Sequence, residues 1–317
     1  MGSATGAASA GREPAPGRVW ILPFAGTAPL KMAWIPPGTF LMGSPPTEPL
    51  RRADEGPVTR VTLRYGYWLG TTMVTIGQWR ALMGRGVREQ LASALRDNTL
   101  HDFGAAKQTL RAYMHFAVDA DPGRYLTGEA DELPMYYVSW QDAVAFCRTL
   151  NEREHAAGRL PPHYEYTLPT EAQWEYASRA GTTNASDAGA LVMHAQRAPA
   201  LDDTAWYDAN SASGYAGRGW LIHGRPAGPH PVARKRPNAW GLYDMAGNLW
   251  EWCRDWYGPY PGGVVADPAG APSGVARVNR GGSFGSGAAD ERSAARASNP
   301  PDEASAFRGF RLALVTR

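Results

Sequence analysis

Residues 238–252 read NAWGLYDMAGNLWEW, and this stretch decides the fold prediction because it combines aromatic rings, glycines and oxygen ligands at high density. Gly241 and Gly247 suit turns with positive φ, and the aromatic residues supply large areas for burial. Asp244 and Glu251 add two carboxylates with backbone carbonyls between them. So many oxygen atoms suit a hard cation such as Ca²⁺. The alternative is that both carboxylates cap turns or pair with arginines.

The composition of the whole chain agrees with a core built from aromatic rings and turns. Its 317 residues include 36 glycines, 26 prolines and 12 tryptophans, a composition that predicts few long regular elements. The net charge is +2, and acidic and basic residues are interspersed along the chain. We therefore expect no nucleic-acid partner and no anionic membrane partner.

The first 28 residues are rich in Gly, Ala and Pro and offer little apolar surface for burial. We expect a flexible tail over 1–28 and a single folded domain over 29–317. No apolar run of roughly 7 to 15 residues follows a basic start, and no stretch approaches the length of a membrane span. These features predict a cytoplasmic protein without a secretory signal.

Four further motifs follow one another along the chain. They are MAWIPPGTFLMGS at 32–44, LPMYYVSW at 133–140, LPTEAQWEY at 168–176, and RGGS at 280–283 running on to RGFR at 308–311. Together with 238–252, these motifs resemble the formylglycine-generating, or sulfatase-modifying-factor, family over roughly residues 29–315. The resemblance implies an α+β protein with a C-type-lectin-like fold.

Local patterns predict the main regular elements. Ser139 with Asp142 forms one capping box and Thr170 with Gln173 another, so a helix should begin after each pair. The second helix should end at Gly181. Alternation and β-branched content predict strands near 31–36, 58–69, 277–281 and 309–314.

An insertion near residues 84–132 is longer than the family usually has, with helical patterning at 87–95 and 105–116. It is either a segment that sets specificity or a helical flap.

The two cysteines, Cys147 and Cys253, are too few for a disulfide framework or a multi-cysteine zinc cluster. Both are interpreted as buried hydrophobic residues. Formylglycine-generating enzymes resemble this chain up to RGGS at 280–283, and just beyond it they carry two cysteines that bind copper. Ser286 stands at the first of these positions, and a hydroxyl cannot replace a thiolate as a ligand for Cu(I). We therefore do not expect copper-dependent oxidation of cysteine to formylglycine.

Lectin-like members of the family, including variable proteins of diversity-generating retroelements, display ligand-binding residues in the C-terminal region. The matching segments here are 284–291 and 297–307, and the alternative is that these are ordinary solvated loops. On this resemblance we expect a peptide, protein or glycan ligand. The candidate ligand-binding residues are Trp206, Tyr207, Ser286, Asp290, Glu291 and Arg292, since aromatic walls with a few polar groups suit such ligands.

The alternative function is that of an O₂-dependent oxidoreductase with a non-haem metal, acting on a peptide or small molecule. The chain resembles the non-haem-iron sulfoxide synthases of ergothioneine biosynthesis, although the additional helical domain that supplies their three histidines is missing here. It also resembles the pyoverdine-maturation proteins, which lack the copper cysteines and still serve oxidative tailoring of a peptide. None of the seven histidines has a partner four residues away on one helical face. The candidate metal pairs are therefore His223 with His230 and His101 with His115, and the alternative is that they are exposed loop residues.

The resemblance also implies structural calcium. One family site takes a side-chain oxygen, two backbone carbonyls and a glutamate, and the matching positions are Asp244, Gly247, Leu249 and Glu251. A weaker second site would use Asn210 and the carbonyl of Ser211, but Gly224 stands where an aspartate is needed. We expect one structural ion, whose binding contributes to folding.

Overall fold

A computed structural model describes residues 13–102, 106–115, 121–194, 197–213 and 220–316. The α-helices in this part of the chain are α1 Ile76–Met83, α2 Val87–Arg96, α3 Leu110–Tyr113, α4 Trp140–Ala156 and α5 Glu171–Arg179. The strands are β1 Val19–Leu22, β2 Leu30–Ile35, β3 Gly38–Met42, β4 Thr59–Leu63, β5 Tyr67–Gly70, β6 His101–Asp102, β7 Lys107–Gln108, β8 Tyr164–Thr167, β9 Trp220–Ile222, β10 Arg225–Ala227, β11 Trp250–Trp256, β12 Gly263–Ala266, β13 Arg277–Arg280, β14 Arg296–Asn299, β15 Arg308–Gly309 and β16 Ala313–Thr316. Helices make up 21% of the structure and strands 25%. These shares confirm the predicted α+β class with sparse regular structure.

The largest sheet joins strands from both ends of the chain. Its order is β1-β2-β5-β16-β8, and all neighbouring strands are antiparallel. Trp34 on β2 lies opposite Trp68 on β5, with their ring centroids 5.3 Å apart. The C-terminal strand β16 therefore lies inside the sheet, between β5 and β8.

Strand β1 corrects the prediction of a flexible tail over 1–28. From residue 19 onward this segment is part of the fold, because Trp20 stacks on Tyr166 with centroids 6.3 Å apart and Leu22 is buried. Residues 1–12 of the predicted tail lie outside the described residues.

The second sheet contains the end of the aromatic stretch, in β11, and the first residue of the RGGS motif, in β13. Its order is β14-β13-β11-β15, with Glu251 on β11 paired to Arg280 on β13 and Trp250 paired to Arg308. Trp252 is fully buried and donates a hydrogen bond to the carbonyl of Val138 at 3.0 Å. A third sheet has the order β12-β4-β3, and β9–β10 and β6–β7 form two-stranded ribbons.

Both predicted capping boxes are confirmed at the starts of α4 and α5. Helix α5 ends at Arg179, and the next residue, Ala180, adopts the left-handed conformation one position before the predicted Gly181. Two strand predictions were too long: 58–69 divides into β4 and β5, and 309–314 into β15 and β16. Among the described helices, none has the length and apolar character needed to cross a membrane.

The insertion near 84–132 is only partly a surface feature. In α2, Val87 and Leu91 belong to the main hydrophobic core, so this helix is not a detached flap. The predicted helix 105–116 shortens to α3, and residues 105 and 116 lie outside the described residues. His101 Nδ1 lies 3.1 Å from Asp302, and Tyr113 donates a hydrogen bond to Glu303 at 3.2 Å. The insertion thus contacts the predicted display segment 297–307.

Candidate functional site

The loop after β13 turns sharply at the RGGS motif. Gly281 and Gly282 have φ values of 98° and 74°, which favour glycine. A Cβ on Gly282 would lie 2.2 Å from Oε1 of Glu291. Ser286 Oγ accepts the backbone N–H of Ser283 at 3.1 Å and lies 3.0 Å from the Ser283 hydroxyl. The hydroxyl of Ser286 therefore stabilises this turn and is not an open surface group.

Glu291 is the most unusual group in the loop. The residue is 2% exposed, and neither carboxyl oxygen has a hydrogen-bond partner among the described residues. Burial, with the nearby charges of Asp290 and Asp208, raises the pKa of Glu291 well above its ordinary value. Glu291 is thus a buried acid without a cationic partner in this part of the chain.

A cleft of about 260 Å³ opens beside the loop, and Asp208, Ile222, His223 and Arg225 are among its lining residues. The backbone N–H of Asp208 donates to the carbonyl of Ser286 at 3.0 Å, which fastens the cleft wall to the loop. Asp208 Oδ2 lies 3.2 Å from His223 Nε2, whereas Oδ1 is buried without a hydrogen-bond partner. We call this site the Asp208 cleft.

Sequence reasoning missed Asp208. The sequence did contain one indication: Asp208 directly follows the aromatic pair Trp206-Tyr207. Because Tyr207 is buried, the side chain of the next residue points outward.

Tyr207 does not face the cleft, so its prediction as a ligand-binding residue is corrected. It is fully buried, and its hydroxyl donates to Asp202 at 3.0 Å. The ring of Trp206 is also covered by neighbouring side chains. His230 stacks on it with ring centroids 3.7 Å apart, and Lys235 Nζ lies 3.9 Å from the ring centroid. Neither aromatic residue forms an open wall.

Arg292 has a structural role, which corrects its prediction as a ligand-binding residue. Its guanidinium is fully buried and ion-paired with Glu55 and with Glu48, the latter at 2.8 Å. Asp290 pairs with the half-exposed Arg52 at 2.5 Å. Ser286 contacts the cleft wall through its hydrogen bond to the backbone of Asp208, but none of the six predicted ligand-binding residues is among the described residues that line the Asp208 cleft.

The predicted calcium loop fits an ion only in part. Asp244 Oδ2 accepts the backbone N–H of Ala233 at 2.9 Å, while Oδ1 is buried without a hydrogen-bond partner. Burial raises the pKa of Asp244 to about 6. The Glu251 carboxylate is already neutralised, since Arg311 donates to both of its oxygens at 2.6 Å and Trp174 Nε1 donates to one at 2.9 Å.

The prediction of Asn210 as a ligand of a second calcium ion gains no support. Its side-chain oxygen accepts the N–H of Tyr207 at 3.0 Å, and its amide donates to the carbonyl of Ala205 at 3.0 Å. Both the oxygen and the nitrogen of the side-chain amide are therefore used in hydrogen bonds that stabilise a local turn.

The histidine pairs gain no support as metal sites. His223 pairs with Asp208, and His230 stacks on Trp206 with a pKa lowered by burial and by Lys235. Within the described ranges, no group of three or more His, Cys, Asp or Glu side chains is arranged to hold a metal ion. Both cysteines are buried, and burial raises the pKa of each thiol.

Fold and loop together define a formylglycine-generating-enzyme-type domain whose predicted copper-ligand position carries a hydrogen-bonded serine. The family model for a sulfatase-modifying factor enzyme 1-like domain matches residues 24–315, so the chain belongs to this family. The formylglycine-generating enzyme of Streptomyces coelicolor is 37% identical over 202 residues, which are 59% of this chain. This chain spans about half, 54%, of that relative. The mouse "Inactive C-alpha-formylglycine-generating enzyme 2" is 29% identical over 302 residues, covering 89% of this chain and 85% of the mouse protein.

Two solved structures share the fold. Treponema denticola variable protein 1 superposes with a TM-score of 0.64 at 25% identity, covering 95% of this chain and 99% of that chain. PvdO from Pseudomonas aeruginosa superposes with a TM-score of 0.68 at 23% identity and the same two coverages, a likeness of fold alone. Both matches confirm the family fold predicted from the motifs.

Proposed function

We propose that this protein binds a peptide, protein or glycan ligand in the Asp208 cleft beside residues 284–291 and does not carry out formylglycine chemistry. One observation supports this most directly: the Ser286 hydroxyl is held by Ser283, while the cleft next to it stays open. The two thiols offer no substitute, because a buried cysteine with a raised pKa is a poor nucleophile. The mouse relative described as inactive is in line with such a loss.

The ligand class can be tested by selecting binders from random displayed peptides and from a glycan array. We expect selected ligands to lose affinity by about tenfold or more for Ala212→Trp, since this exposed alanine lines the cleft and an indole would fill it. Val275→Trp is the matched control, because Val275 is 84% exposed and is not a lining residue. Ligands that bind the Ala212→Trp variant unchanged would contradict the proposal.

The oxidoreductase alternative lacks a comparable supporting observation. It is tested by metal analysis of the native protein together with oxygen consumption after addition of Fe(II) or Cu(I). Stoichiometric iron or copper with oxygen uptake would overturn the binding proposal, whereas calcium alone would support it.

We also propose a structural calcium ion held through Asp244, with the backbone carbonyls of Gly247 and Leu249 as further ligands. The buried Oδ1 of Asp244 supports this, since a carboxylate without a donor gains from a hard cation. Glu251 is left out of the ligand set because Arg311 already neutralises it.

Chelation should therefore lower the melting temperature of the native chain, because an ion bound only to the folded state stabilises it. Asp244→Asn should melt at a lower temperature in calcium and should not respond to chelator. The measurement is thermal unfolding in calcium and in EDTA, with Asp203→Asn at an exposed position as control. A native melting temperature that EDTA leaves unchanged would exclude the ion.

A further inference from the structure

We propose that the Asp208 cleft recognises a carboxylate group of its ligand through the exposed side chains of Arg225 and Arg197. This inference rests on the proposed function, because it names the ligand chemistry of the same cleft.

The charged side chains that line the cleft are mainly basic. Among the described lining residues, Arg197, Arg225 and His223 are basic, and Asp208 is acidic. The other lining residues described are Ile222 and three alanines, which carry no charge. An anionic group that enters the cleft therefore meets more positive than negative charge.

The lining carboxylate is turned into the wall and already has a partner. The Asp208 side chain is 13% exposed, and its Oδ2 lies 3.2 Å from Nε2 of His223, whose side chain is 51% exposed. The other oxygen, Oδ1, is buried. A ligand in the cleft therefore reaches the imidazole more readily than the carboxylate.

Arg225 is the lining cation whose charge is unused. It is exposed, and its guanidinium forms no ion pair or hydrogen bond with any residue in the described ranges. Arg197 pairs with Asp202 at 2.6 Å, but its side chain is 57% exposed. A guanidinium has five N–H donors, so this pair leaves donors of Arg197 available.

These pairings favour a carboxylate over a group of higher charge. Arg197 shares its charge with Asp202, and Asp208 has His223 beside it, so Arg225 supplies the uncompensated positive charge. A single cation matches a monoanion better than a phosphate dianion. The planar guanidinium also donates two parallel hydrogen bonds to the two oxygens of a carboxylate.

The ribbon β9–β10 holds Arg225 at the cleft before a ligand arrives. Arg225 pairs with Ile222 across the ribbon, and Ile222 packs against the main hydrophobic core. At the other end of β10, Ala227 is buried and forms a bridge with Ala212. Because the backbone on both sides is fixed, binding orders only the Arg225 side chain, which reduces its entropic cost.

The acids behind the loop oppose an anion only weakly. Burial, with the charges of Asp290 and Asp208, raises the pKa of Glu291 well above its ordinary value, so its neutral form is favoured. Asp290 is paired with Arg52 at 2.5 Å. Neither Glu291 nor Asp290 is among the described residues that line the cleft.

The size of the cleft limits the group that enters. At about 260 Å³, it is smaller than the usual range for whole drug-sized ligands, which begins near 300 Å³. A single side chain or one sugar ring fits this volume. The carboxylate therefore belongs to an acidic residue or C-terminus of a peptide, or to a uronic acid of a glycan.

The test is an NMR titration of the full chain with butyrate, with n-butanol as an uncharged probe of similar size. We expect butyrate to bind about fivefold more tightly, which is near the upper end for a solvent-exposed charge pair. This preference should fall as salt is added, because salt screens exposed charges, whereas the affinity for butanol should not change.

A second arm separates the two sources of the carboxylate by comparing glucuronate with glucose. A larger preference for butyrate over butanol identifies a peptide carboxylate. A larger preference for glucuronate over glucose identifies a uronic acid.

Variants locate the effect. Arg225→Gln should remove the preference for butyrate and leave the affinity for butanol unchanged, since it removes the unpaired charge. It should not impair folding, because the side chain is exposed and has no partner among the described residues. Arg148→Gln removes an exposed arginine from α4 and is the matched control, which should keep the full preference.

Butyrate that binds the native chain no better than butanol, or a full preference for butyrate in Arg225→Gln, would overturn the inference. If selected ligands remain sensitive to Ala212→Trp in that case, the proposed binding function stands and only the ligand charge is wrong.

Discussion

Replacing Glu251 with glutamine is expected to lower the free energy of unfolding by about 3–5 kcal/mol, the range found when one member of a buried ion pair is removed. Arg311 is fully buried, and its guanidinium donates to both oxygens of Glu251 at 2.6 Å. Its other bonds go to the backbone carbonyls of Gly70, Tyr243 and Asp244. Carbonyls satisfy the N–H groups but do not neutralise the charge, so the variant would leave a buried cation uncompensated.

The double variant Glu251→Gln/Arg311→Met separates this cause from a general packing defect. It removes both charges, so we expect it to recover much of the stability lost by Glu251→Gln alone. Urea unfolding of the native chain, the single variants and the double variant gives the coupling free energy directly. Equal losses in the single and double variants would show that the pair contributes nothing. The measurement repeated in EDTA should give the same coupling, because Glu251 is not in the proposed calcium ligand set.

The second large effect concerns pH. Asp255 is buried on β11, and burial, with the charge of Glu171, raises its pKa from 3.8 to about 7. The folded state therefore binds a proton that the unfolded state releases near pH 4. The contribution of Asp255 to the free energy of unfolding is therefore fully present below pH 3.8 and is lost as the pH rises through about 7. The loss amounts to at most about 4 kcal/mol, at 1.36 kcal/mol per pKa unit.

Asp255→Asn should remove this dependence. The amide can still accept the backbone N–H of Glu171, which Asp255 Oδ2 accepts at 3.0 Å. We expect the variant to be more stable than the native chain at pH 8.5 and little changed at pH 4. Urea unfolding at both pH values measures the difference, and Asp203→Asn is the exposed control. If the free energies of unfolding of the native chain and the variant changed in parallel with pH, Asp255 would not lose stability on ionising in the folded state, and the prediction would be wrong.

Sequence patterns that span only a few residues were sufficient to predict the local helices and strands and to identify the family. The capping boxes at Ser139 and Thr170 predicted the starts of α4 and α5, because a cap is a contact between residues three apart. Buried cysteines were predicted for the same reason, from neighbouring apolar residues. The motif order identified the family fold, which the solved structures of relatives confirm.

Side-chain pairing across the fold could not be predicted in this way. Residues 238–252 and the family resemblance predicted Glu251 as a calcium ligand, whereas its partner Arg311 lies sixty positions further along the chain. Arg292 resembled a ligand-binding residue although its partner Glu55 is 237 positions away. The unpartnered oxygens of Asp208 and Glu291 are likewise a property of the folded surroundings, so no local pattern marks them.

Strand β16 has a consequence for how the chain folds during synthesis. Because Ala313–Thr316 lies between β5 and β8 in the largest sheet, β8 cannot join this sheet until β16 has left the ribosome. The N-terminal strands must wait with one unpaired edge, and such edges can pair with other chains. Synthesis therefore passes through a long interval in which aggregation competes with closure of the sheet.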